Sequence, residues 1–146
     1  QLFEKLGVDF SLEEEFFSIS SKNVLRGMHF QTPPHEHDKL VYCLSGVVVD
    51  VVLDLRLTSK TYGKCCAVEL SQENRHIFFI PKGFAHGFLS LTDQSCMVYK
   101  TNAVYAPEHD AGVLWNSFGF DWPVEQPMIS ERDAGFCRLE AFKSPF

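Results

Sequence analysis

Between residues 24 and 101 the chain keeps one cadence: a short apolar or β-branched run, then a break at Gly, Pro, Asn or Ser. The runs fall at residues 24–31, 40–44, 47–55, 61–70, 76–80, 87–91 and 96–101. Ser45-Gly46 separates the second from the third, and Pro81 and Gly83 close the fifth. Short strands at roughly 8–12-residue spacing with turn residues between them predict an all-β sandwich or barrel. No stretch shows the strand–helix alternation of a parallel sheet. Phe3, Leu6 and Val8 give residues 1–12 a weak apolar side that predicts one short helix, ended by Gly7. After Ala106, the residues Pro107, Gly112, Gly119, Pro123 and Pro127 predict a tail of loops and short turns wrapped on the barrel.

At 146 residues the chain has the length of one domain, and 45% apolar residues suffice for one core. A net charge of −6 excludes a general nucleic-acid-binding face, which must be basic. It leaves room for a phosphorylated small molecule held by a few local cations. The five cysteines are odd in number and form no CxxC pair, which fits reduced thiols. The sequence has no secretory leader pattern and no apolar run near 18 residues, so no membrane partner and a cytoplasmic location are expected.

Five stretches carry candidate chemistry, and the residues alone leave each of them two readings, functional or structural. In Arg26-Gly27-Met28-His29-Phe30-Gln31, strand periodicity puts Gly27, His29 and Gln31 on one face and Arg26, Met28 and Phe30 on the other. The first face either lines a barrel holding a polar ligand or ends a strand in solvent. Pro81-Lys82-Gly83-Phe84-Ala85-His86 has the shape PxGxxH, which either aims His86 into a barrel or closes a hairpin with a surface His. His35-Glu36-His37 could clamp a cation, or be a loop after Pro33-Pro34. Asp121-Trp122-Pro123 places a carboxylate among aromatics, where an unpaired charge is costly and an imidazole would be a suitable partner. Tyr105 stands just before the rigid turn at Pro107.

Lys39-Leu40-Val41-Tyr42-Cys43-Leu44-Ser45-Gly46 resembles the cupin segment ExxYVLxG, with a Lys where metal-binding cupins carry a ligand Glu. A cation there opposes a divalent ion, so no metal is expected. Together with Val24 to Gln31, Asp50 to Arg56, Thr61 to Lys64, Val68 to Arg75, Ile80 to Phe88, Tyr99 to Thr101, Tyr105 to His109, Asp121 to Pro123 and Ile129 to Asp133, the chain resembles the dTDP-4-dehydrorhamnose 3,5-epimerase family. The resemblance implies a single cupin jelly-roll domain, usually a homodimer, needing no cofactor and acting on a nucleotide-linked 4-keto-6-deoxy sugar. It implies His29 as the base, Asp121 as its carboxylate partner and Tyr105 as the acid on the opposite sugar face. It further implies Arg26 at the diphosphate, with Gln31, Lys39 and His86 lining the sugar pocket.

The sequence departs from that family in three places. The FxDxRGxFxE pattern that relatives carry upstream does not occur. Glu13-Glu14-Glu15-Phe16-Phe17-Ser18 stands where a QDNxS-like stretch touches the base, so a GDP or CDP carrier, or a heptose, is an alternative. Val104 replaces a common second Tyr, and Gly112-Val113-Leu114-Trp115 stands for GIRW. The other readings are a sugar ketoisomerase, a sugar-binding module without catalysis, and a metal-dependent cupin using His35, His37 and His86.

Overall fold

The computed structural model describes residue 5 and residues 7–146. Nine strands are present: β1 (Glu14–Ser20), β2 (Leu25–Gln31), β3 (Lys39–Ser45), β4 (Val47–Asp54), β5 (Cys65–Ser71), β6 (Ile77–Ile80), β7 (Phe84–Ser90), β8 (Ser95–Thr101) and β9 (Asp110–Gly112). After the strands comes the α-helix α1 (Glu131–Ala134). The strands form a four-stranded sheet in the order β1-β8-β3-β6 and a five-stranded sheet in the order β5-β4-β7-β2-β9. Their pairings within the sheets are antiparallel. This is the two-sheet all-β architecture that the strand cadence predicts, and the jelly roll that the family resemblance implies. Of the helix expected over residues 1–12, residues 1–4 and 6 lie outside the described residues, residue 5 is helical, and residues 8–12 are not.

Two apolar layers explain why the middle strands are so rich in Val and Leu. Val48 and Val52 of β4 face the opposite sheet and pack with Val41, Ile80, Phe88 and Met97. Val51 and Leu53 point the other way and pack with Leu25, Met28, Leu89 and Trp122. The tail covers this second face with Phe118, Phe120, Ile129, Phe142 and Phe146, so it wraps the barrel as expected. A strand buried on both faces reads as a nearly continuous apolar run. β4 breaks that run only at Asp50 and Asp54, both buried.

β2 departs from simple alternation. Its register against β7 shifts between Arg26 and His29. Gly27 sits at φ 140°, and a Cβ there would stand 2.5 Å from the Gly87 Cα. Two glycines facing each other thus let β2 and β7 approach at the irregular step. The consequence is functional. Arg26 and His29, expected on opposite faces, line the same cavity.

Candidate active site

The two sheets enclose a cavity of about 440 Å³, a size suited to a small ligand. The sequence-predicted residues Arg26, His29, Gln31, Lys39, His86 and Tyr105 all line it. They come from β2, β3, β7 and the loop after β8, so only the folded barrel assembles them.

His29 is paired, but not with Asp121. Its Nε2 lies 2.9 Å from Oδ1 of Asp133, a residue 104 positions away. Asp121 is exposed and does not line the cavity, whereas its neighbour Trp122 turns inward and donates from Nε1 to the Trp115 carbonyl. The expected His29–Asp121 pair is therefore corrected to His29–Asp133. Local chemistry explains the delivery of Asp133. Ser130 caps α1, its side chain accepting from the Asp133 amide at 3.1 Å. The Asp133 carboxylate then accepts from the Gly27 amide at 3.1 Å and from Arg132 Nε at 3.0 Å. Burial alone would raise the Asp133 pKa. The hydrogen bonds from His29, Gly27 and Arg132 overcome it and hold the carboxyl well below its usual range. The serine three residues before an aspartate is a helix-start signal in the sequence, and it was the available clue to this residue.

With Nε2–H donating to a carboxylate, the nitrogen of neutral His29 that can take a proton is Nδ1. Burial lowers the His29 pKa; Asp133 opposes this, and the charges of Arg132 and Lys39 add to it. The imidazole is thus neutral, and available as a base, at neutral pH. Arg132 Nη2 is also 2.7 Å from His29 Nε2. A nitrogen already donating to Asp133 cannot accept from a guanidinium, so Arg132 acts here as a neighbouring charge.

A second pair lies deeper. His86 Nε2 sits 2.9 and 2.8 Å from the two oxygens of Asp50, and both side chains are almost fully buried. Burial raises the Asp50 pKa, against the pull of His86 and Lys39. Asp50, a β4 residue pointing inward from an apolar strand, was not singled out from the sequence. Lys39 lines the cavity nearby. Desolvation lowers its pKa to about 8, against the attraction of Asp110 and Asp50. It is a cation at neutral pH with little to spare.

Tyr105 enters from the loop between β8 and β9. Its amide donates to Glu14 at 3.0 Å, and its hydroxyl donates to Asp110 Oδ2 at 3.2 Å. Burial raises the phenol pKa, as does the Asp110 charge, so the group keeps its proton. Gln31 braces this loop from below. Its Oε1 accepts from the Ala106 amide at 2.7 Å and its Nε2 donates to the His35 carbonyl at 2.8 Å. Gln31 therefore lines the cavity while its amide is engaged in holding the loop. Arg26 donates to Ser20 Oγ at 3.1 Å, which anchors a guanidinium at the β1 side of the cavity. Glu14 and Phe16 of β1, noted in the sequence only as a departure, also line it, and Phe16 stacks on Tyr99 at 4.7 Å.

The His35-Glu36-His37 segment does not assemble a metal centre. Among the described residues, no group of three His, Cys, Asp or Glu side chains is placed to hold an ion. His37 Nδ1 contacts Gln31 Nε2 at 3.1 Å, and the His35 ring packs on His109 at 4.3 Å.

Comparison with known proteins gives the family. Residues 1–141 match the family model described as dTDP-4-dehydrorhamnose 3,5-epimerase. The enzyme of that name from Escherichia coli is 47% identical over 138 residues, covering 92% of this chain and 75% of its own. The crystal structure of the Bacillus anthracis enzyme with TDP and PPi bound superposes with a TM-score of 0.93 at 37% identity, covering 94% of this chain and 81% of that one. A Legionella pneumophila dTDP-6-deoxy-D-glucose-3,5-epimerase, in complex with dTDP-4-keto-L-rhamnose, gives 0.92 at 40% identity, covering 97% and 76%. A half-buried imidazole–carboxylate pair, a phenol and a lysine lining one jelly-roll cavity, together with these relatives, lead to one conclusion: the chain is an isomerase belonging to the dTDP-4-dehydrorhamnose 3,5-epimerase family.

Proposed function

We propose that this chain epimerises a dTDP-linked 4-keto-6-deoxy sugar at carbons flanking the ketone, with His29 as base and Tyr105 as acid. The observation that carries the reading is the His29–Asp133 pair in a cavity shared with Tyr105 and Lys39. A C–H beside a ketone is acidic only if the enolate is stabilised. His29 Nδ1 takes the proton, the C–H electron pair moves into the enolate, and Asp133 stabilises the imidazolium that forms. The Lys39 ammonium faces the charge developing on the ketone oxygen. Tyr105 then gives its hydroxyl proton to the same carbon from the other side, leaving a phenolate. Solvent returns a proton to Tyr105 and removes one from His29, so the net change is inversion alone.

Arg26 is assigned to the diphosphate, and His86, fixed by Asp50, to the sugar wall. No step requires a metal or cofactor. The chain works in the cytoplasm as a homodimer in this reading. Support for the location comes from five free cysteines and the lack of any described helix long and apolar enough to cross a membrane. Support for the dimer comes from the outer face of the four-stranded sheet, where Phe17, Ile19, Leu44 and Ile77 are exposed.

Proton NMR of dTDP-4-keto-6-deoxyglucose with the protein in D2O tests the assignment. Deuterium entering at C3 and C5 with inversion is the expected result, and entry at one carbon would restrict the enzyme to a single centre. CDP- and GDP-linked 4-keto sugars, run alongside, test the carrier at the Glu14–Phe16 end. A folded protein inert toward all three would defeat the assignment.

A further inference from the structure

Arg132 has no role in the chemistry above, yet its guanidinium reaches three groups. Nε donates to Asp133 Oδ1 at 3.0 Å, Nη1 donates to Asp110 Oδ2 at 2.5 Å, and Nη2 stands 2.7 Å from His29 Nε2. Asp110 Oδ2 is also the acceptor for the Tyr105 hydroxyl. An unbroken chain therefore runs His29–Asp133–Arg132–Asp110–Tyr105, joining β2, α1, β9 and the loop after β8. Phe136 backs it, with its ring edge-on to His29 at 5.8 Å and 5.7 Å from the Arg132 guanidinium carbon.

The planar fork of a guanidinium fixes the spacing of two carboxylates, which a single ammonium does not. Tyr105 needs such an anchor, because it is exposed on a loop. Asp110 also feels the charge of Lys39, so without Arg132 it would have a competing partner. We propose that Arg132 is a positioning residue that keeps the acid in step with the base, and so sets how often an enolate is inverted rather than returned. This rests on the reading of His29 as base and Tyr105 as acid. Once His29 has taken the proton, two fates compete. Return from His29 restores the starting sugar, carrying deuterium if the imidazolium has exchanged with D2O. Delivery from Tyr105 gives the inverted product. A small displacement of Tyr105 favours the first without slowing proton removal.

The test follows both fates in one NMR tube for Arg132→Met and Arg132→Lys. In Arg132→Met, inversion per exchange event should fall by about tenfold or more, while deuterium wash-in to unreacted substrate stays within a few-fold of wild type. Arg132→Lys should recover part of the ratio, since an ammonium can hold one carboxylate. A ligand-free NMR titration of His29 gives a second readout. The charged groups around its ring are Asp133, Arg132 and Lys39, so removing Arg132 should raise its pKa. Wash-in and inversion falling in equal proportion, or neither changing, would overturn the proposal. So would a His29 titration that does not move. If wild type itself neither exchanges nor inverts, the functional assignment fails instead, and the titration alone then decides the coupling. Should Arg132→Met not fold, Asp110→Asn cuts the same chain at its far link and should shift the same ratio.

Discussion

Among the described residues, two histidine–carboxylate pairs have nearly equal hydrogen-bond lengths and very different surroundings. His29–Asp133 joins β2 to α1 across 104 residues, and the His29 side chain is 26% exposed. His86–Asp50 lies between adjacent strands, with side chains 4% and 0% exposed. A base that sheds its proton to solvent every turnover needs the first environment. A side chain that must hold one orientation against a bound sugar is served by the second, where both carboxylate oxygens grip one imidazole nitrogen. In the proposed mechanism burial, not pairing distance, separates the base from the wall.

Breaking each pair should therefore fail in a different way. The largest effect is expected for His29→Ala, with a loss of turnover of about 10³-fold or more, read by NMR exchange, and with thermal stability little changed. Asp50→Ala leaves His86 buried without its partner and should cost about 1–3 kcal/mol of stability, seen as a lowered Tm. The pH profile of kcat/KM sharpens the contrast further. His29 must be neutral to act, and its pKa is lowered, so the acidic limb should fall below the ordinary histidine value of 6.5. Lys39 must be charged, so the rate should decline as pH rises through about 8. The smallest effect is expected for Asp121→Asn, within about twofold on either measure, as for an ordinary surface change.

Much of this site is legible in the sequence because its residues sit on strands. The PxGxxH turn places His86, and the strand following the two prolines begins at Lys39. The carboxylate partner was not legible in the same way. Asp121, between Phe120 and Trp122, has the apolar neighbours of a buried acid, but the fold spends that segment on seating Trp122 and leaves Asp121 outside. Asp133 lies among charged residues and reads as a helix face, and only the Ser130 cap and the Gly27 amide turn it inward. Alternation failed at Arg26 for a similar reason, since the close contact of Gly27 and Gly87 resets the strand. β1 escaped notice because Glu13, Glu14 and Glu15 mask its pattern, although Glu14 and Phe16 face the cavity. The misses at Asp133 and Arg26 depend on contacts between residues far apart in the chain, which local periodicity does not encode.

The proposed chemistry turns on Asp133, in place of Asp121, as the carboxylate behind the base. The most direct measurement compares Asp133→Asn with Asp121→Asn for deuterium entry beside the ketone in D2O. A loss of about 10²-fold or more is expected in Asp133→Asn with the protein still folded, and wild-type exchange in Asp121→Asn. Full exchange in Asp133→Asn, or collapse in Asp121→Asn, would contradict it.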